Sequence, residues 1–184
     1  MNHKIFNWFY ALIYVVFIYS TLTLVPIPML YLRSHGVLRL TIQILFLLTI
    51  SLLIFFMFQK KLTAAWRFVL LGGTLGAYIF CASKIKIPEE QVHFFEYGFV
   101  GVLFFRAIRQ HFEATWKSYV LAFILGSLAG WLDEILQGFT ARRHYDVHDI
   151  YLNMLSVTLG LILYAATWFQ KKDISFEQRS GVSQ

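Results

Sequence analysis

Leu40-Thr41-Ile42-Gln43-Ile44-Leu45-Phe46-Leu47-Leu48-Thr49-Ile50-Ser51-Leu52-Leu53-Ile54-Phe55-Phe56-Met57-Phe58 runs for nineteen residues without a charged side chain. A bilayer's hydrocarbon core needs about 20 helical residues to cross, so this stretch reads as a transmembrane helix. Five more segments meet or approach that length: Phe6–Val25, Trp66–Ser83, Val92–Ala107, Tyr119–Leu136 and Ile150–Phe169. Hydrocarbon offers the backbone no hydrogen-bond partner, so apolar runs of this length must close their bonds internally as helices. The whole chain agrees: of 184 residues, 58% are hydrophobic and only 14% charged, with a mean hydropathy of +0.61. The expected fold is all-α, a polytopic membrane bundle of about six transmembrane helices. It forms a single domain over residues 1–170, followed by a polar tail over 171–184 whose composition predicts disorder.

Local signals refine these spans. Pro26 and Pro28 are expected to end the first. Gly72, Gly73 and Gly76 weaken the third as an isolated helix, but small residues suit close packing between membrane helices, so it stays. The fourth is short and extends back through Glu89 if Pro88 occupies its first turn. No cleavage signal follows Lys4, so the first run is read as retained. The single cysteine, Cys81, excludes an internal disulfide and a multi-cysteine zinc site.

The chain is basic, with 16 Lys and Arg against 10 Asp and Glu. No basic stripe interleaves with stacking aromatics, which argues against nucleic-acid binding. The cations instead flank the apolar runs. With six spans, Lys4, Lys60, Lys61, Arg67, Arg106, Arg109, Lys117, Lys171, Lys172 and Arg179 share one side. Arg33, Arg39, Lys84, Lys86, Arg142 and Arg143 share the other. The excess of positive charge places the first group, and both termini, in the cytoplasm.

The acids are distributed differently. None precedes Glu89, and eight of the ten fall within the 61 positions from Glu89 to Asp149. Ionisable groups in apolar surroundings are costly and mark functional sites by default. On a helix, Glu89, His93 and Glu96 share one stripe, with Glu96 about 10 Å deeper than Glu89. Asp133 and Glu134 both neighbour Gln137 on the fifth span, though they point in different directions. Asp146, Asp149, Asn153, Ser156 and Gly160 follow one face into the sixth span. Six-span topology brings all three motifs to one membrane face, the outer one by the charge count. Glu89, His93, Asp133, Glu134, Gln137, Arg142, Asp146, Asp149 and Asn153 are thus candidate ligand-binding residues. His93, Asp133, Glu134 and Asp149 are the candidates for acid–base work.

Structural readings compete at several of these positions. Asp133 and Glu134 could pair with Arg142 or Arg143 and tie spans five and six together. Asp149 and Asn153 could form a polar clamp between helices. His144 and His148 have a metal-like spacing without a fixed third ligand, so no metal ligands and no cofactor are assigned. An acidic cluster could still hold Mg²⁺ or Mn²⁺.

The motifs also carry a resemblance. Pro88-Glu89-x3-His93-Phe94-x2-Tyr97-x3-Gly101, then Asp133-Glu134-x2-Gln137-x-Phe139, then Arg142-x3-Asp146-x2-Asp149-x3-Asn153 resembles the VanZ-like family. These are small membrane proteins named after a teicoplanin-resistance determinant. The resemblance covers residues 89–164, adds Tyr97 to the candidate site, and matches the span 6–25 to the family's first helix. It implies a bacterial plasma-membrane protein of the cell envelope associated with glycopeptide resistance, without a settled activity. Glu90 stands where the family often has Lys, and Ser156 where Gly commonly follows the Asn. The helix pair over 40–83 is an insertion relative to the family.

Three functions fit these residues. One is binding or modification of a lipid-linked envelope precursor, with the arginines holding phosphate. Another is a metal-dependent hydrolase or transferase acting on a lipid phosphate. The Arg142/His148 spacing imitates membrane phosphatidic acid phosphatases, but Leu152 stands where their Asp would be and a Ser-Gly-His partner is missing. The last is a proton-coupled transporter relaying through Glu96, Asp133 and Asp149.

Overall fold

The computed structural model describes residues 3–22, 24–112, 114–140 and 145–168. Among these the chain is helical throughout, in the order α1 (His3–Thr21), α2 (Pro26–Ser34), α3 (Leu38–Gln59), α4 (Ala65–Lys84), a 3-10 turn (Pro88–Val92), α5 (His93–Arg109), α6 (Thr115–Gly138) and α7 (Val147–Thr167). Each apolar run read from the sequence coincides with a helix. Four of them, α3, α4, α6 and α7, are long and apolar enough to cross a membrane, and α1 with α2 makes up to five if that bent pair is one span. The tail over 171–184 lies outside the described residues.

Two boundaries differ from expectation. Pro26 does not simply end the first span: it opens a new helix, α2, inclined 57° to α1. A proline near a helix start loses no bond, because that turn's N–H has no partner within the helix. The fourth helix does not run back through Glu89, which sits in the 3-10 turn, and α5 starts at His93.

α5 is the centre of the bundle. Phe94, Tyr97, Val100, Phe105 and Ala107 are all buried on it, packed by α1, α6 and α7. α7 reaches α5 and α6 across glycines. A Cβ on Gly160 would lie 2.3 Å from the Gly98 carbonyl oxygen, so these two backbones are in contact. Val157 fills the space above Gly101 and Gly126, where added Cβ atoms would meet its methyls at 3.0 and 2.9 Å. Nearer the acidic motifs, a Cβ on Gly130 would meet that of Asn153 at 2.6 Å. Without a hydrophobic drive between helices inside lipid, such close van der Waals approach is what holds them. By contrast, Gly72, Gly73 and Gly76 have nothing within 4 Å of where a Cβ would be, so they do not serve the helix packing expected of them.

Polar bonds fasten the bundle at several heights. The Tyr19 hydroxyl donates to the Ala129 carbonyl at 2.7 Å, tying α1 to α6. At one end Trp8 donates to His111 at 3.1 Å, and the buried Arg67 donates to the Ala166 carbonyl at 2.8 Å. Arg67 thereby satisfies an orphan carbonyl in the last turn of α7. At the opposite end the Gln91 amide donates to the Ala82 carbonyl at 3.1 Å, joining the 3-10 turn to α4.

Gly160→Ala should destabilise the bundle by about 1–3 kcal/mol of overpacking, lowering its thermal midpoint in detergent. Gly72→Ala should leave it unchanged or raise it, since Ala favours the helix and meets no neighbour. Equal midpoints for the two variants would contradict the α5–α7 contact.

Candidate functional site

The start of α5, the end of α6 and the start of α7 meet at the bundle end opposite Arg67. One residue from each of the three motifs meets the others here. His93 opens α5, Glu134 lies one turn before the end of α6, and Asp149 stands in the first turn of α7. One ligand atom from each of these side chains lies within 4.8 Å of the other two. His93 and Glu134 are buried and Asp149 is half-buried. The positive end of the α7 dipole favours a carboxylate at Asp149. The His93 ring stacks on Tyr97, 5.9 Å between centroids and 14° from parallel, which fixes the imidazole plane.

Asp133 points elsewhere, as the 100° step between adjacent helical residues requires. It is buried and accepts a 2.7 Å hydrogen bond from the Gln137 amide. With Glu89, His93, Glu96 and Gln137 it lines a cavity of about 30 Å³, closed on its apolar side by Ile18, Val25 and Met29. That is room for about one or two water molecules. His93 therefore belongs to both groups, the cluster with Glu134 and Asp149 and the cavity with Asp133.

The remaining candidates have more structural parts. Glu89 is held by Arg33 of α2 at 3.1 Å, a partner that lies 56 residues away and shows no sequence signal. Asn153 is fully buried and donates to the Gly130 carbonyl at 3.2 Å, so it does clamp α6 to α7. Asp146 caps α7, accepting from the His148 N–H at 2.8 Å, and is exposed outside the buried cluster. Arg142, with Arg143 and His144, lies outside the described residues.

Chemically, an imidazole with two carboxylates offers a general acid–base pair, or one nitrogen and two oxygen donors for a divalent cation such as Mn²⁺ or Zn²⁺. From the sequence alone these three residues are candidates for acid–base work, not metal ligands. Their spacing along the chain carries no ligand signature, because each comes from a different helix. No protein-family model matches the chain, nor does any curated protein or solved structure.

Glu90, beside the cluster in the 3-10 turn, reports its negative field. Burial pushes its carboxyl above the ordinary glutamate range, and the nearby Asp149, Asp146 and Glu89 push it further, with His148 partly opposing them. A carboxyl whose folded value is raised loses stability as pH climbs from its unfolded to its folded value. Glu90→Gln should therefore raise the thermal midpoint at neutral pH. That gain should vanish as pH falls below the ordinary glutamate range, which a pH series of melting curves would show. A constant gain at every pH would rule out the electrostatic origin.

Proposed function

We propose that this chain is a VanZ-like membrane protein of the bacterial plasma membrane whose buried polar cluster binds or modifies a lipid-linked envelope ligand. In this reading it crosses the bilayer six times with both termini in the cytoplasm, so the cluster faces outward. The observation that carries the proposal is the convergence of His93, Glu134 and Asp149 from three helices. Buried ionisable groups are costly, and two of them beside a half-buried third, each on a separate element, are hard to justify as packing. The order and spacing of the motifs over 89–164, and their resemblance to VanZ-like proteins, support an envelope role that includes tolerance of glycopeptides such as teicoplanin.

The same three residues favour a second reading, a divalent-cation-dependent hydrolase or transferase of a lipid phosphate. A cation held there would polarise a phosphoryl oxygen or activate a water, while Asp133, His93 and Glu96 around the adjoining cavity would order that water.

His93→Ala and Asp149→Asn should each abolish glycopeptide tolerance in cells expressing the protein, with membrane insertion unchanged. Full tolerance in both, at equal expression, would remove the cluster from the function. The enzymatic reading makes a separate demand on purified protein. Turnover of lipid phosphates should stop in EDTA and return with Mn²⁺, whereas the absence of turnover under any metal would leave ligand binding as the role.

A further inference from the structure

A larger cleft, about 480 Å³, opens on a different face of α5 from the polar cluster. Its cause is the way α3 attaches. Near one end Phe46 of α3 packs edge-on against Phe95, 4.5 Å between centroids. Near the other, Phe56 meets Trp168 at 5.8 Å. Between these fastenings α3 stands off, and Ile50 and Leu53 face Phe99 and Val102 of α5 across the gap. Along α5 the cleft runs from Phe95 to Arg106, about 16 Å by helical rise.

One end of the cleft differs from the rest. Arg106 lines it there, exposed in the last turn of α5. The neighbouring wall is Trp168, with the Lys60 ammonium 3.4 Å from its ring centroid. Among the described residues neither cation has an ion-pair partner. An apolar slot of helix-parallel shape ending in Arg106, with Lys60 on the Trp168 ring that walls it, complements one kind of molecule, a hydrocarbon chain carrying an anionic headgroup.

We propose that this cleft seats an acyl chain of an anionic phospholipid, drawn from the leaflet on the Arg106 side, with its phosphate held by Arg106 and Lys60. Apolar walls disfavour water, and lipid chains are the surrounding solvent. The chain wedges between α3 and the α5–α7 pair, completing the packing that the two aromatic fastenings leave open. This site is independent of the polar cluster and of any activity there.

The test is native mass spectrometry of the full chain, extracted in mild detergent from vesicles containing equal parts phosphatidylcholine and phosphatidylglycerol. The wild-type protein should retain one lipid per chain and prefer phosphatidylglycerol by about fivefold or more, the factor given by about 1 kcal/mol of attraction per basic residue. Arg106→Gln should abolish most of that preference, and Lys60→Gln should weaken it. Leu53→Trp, on the cleft-facing side of α3, should reduce retention of both lipids by filling the cleft. Equal retention of the two lipids by the wild type would overturn the proposal. So would an unchanged preference in both charge variants, retention undiminished by Leu53→Trp, or a dimer that carries no lipid.

Discussion

Backbone contact between α5 and α7 at Gly98 and Gly160 sets the spacing on which the other helices depend. A side chain at Gly160 would force the helices apart, and Val157 would no longer reach both Gly101 on α5 and Gly126 on α6. The same closeness continues to Gly130, where Asn153 spends its amide on a backbone carbonyl of α6. The polar residues thus sit above a seam whose width is fixed by the absence of side chains. That is a stringent way to position charged groups, because packed interiors do not deform gradually.

The seam explains how a buried carboxyl and a half-buried one are kept so close together. Glu134 and Asp149 are carried by α6 and α7, the helices joined at the Gly130–Asn153 contact, and His93 stands on the third. Each side chain needs only to leave its helix in the direction its Cα dictates. Asp133, one residue from Glu134, is turned by that step into a separate cavity with its own amide partner, Gln137. Two adjacent acids thereby serve two environments at no cost in backbone distortion.

Much of this was legible in the residue order. Long apolar runs permit no other structure in hydrocarbon, so every helix that crosses most of the bundle was visible. The meeting of three acidic motifs followed from alternating helix direction alone. The failures have physical reasons. α2 was hidden because a proline that ends one helix can equally begin another, and only the following residues' packing decides. Helical phase put Glu89, His93 and Glu96 on one stripe. They do share a cavity, but through a 3-10 turn whose tighter winding the sequence does not announce. The glycines of α4 looked like a packing face, yet which side of a helix meets its neighbours is a tertiary choice. The partnership of His93 with Glu134 and Asp149, and of Glu89 with Arg33, joins distant segments and leaves no spacing to read.

Val25 and Met29, which cover the small cavity, stand at the mouth of α2, which among the described residues is the one α-helix with no buried residue. Its cross-link to the 3-10 turn is the Arg33–Glu89 pair, and the Arg33 side chain is 61% exposed. Exposed pairs of this kind contribute roughly 0–1 kcal/mol and weaken further in salt. A closely packed seam and a segment latched by one exposed ion pair therefore lie on either side of His93.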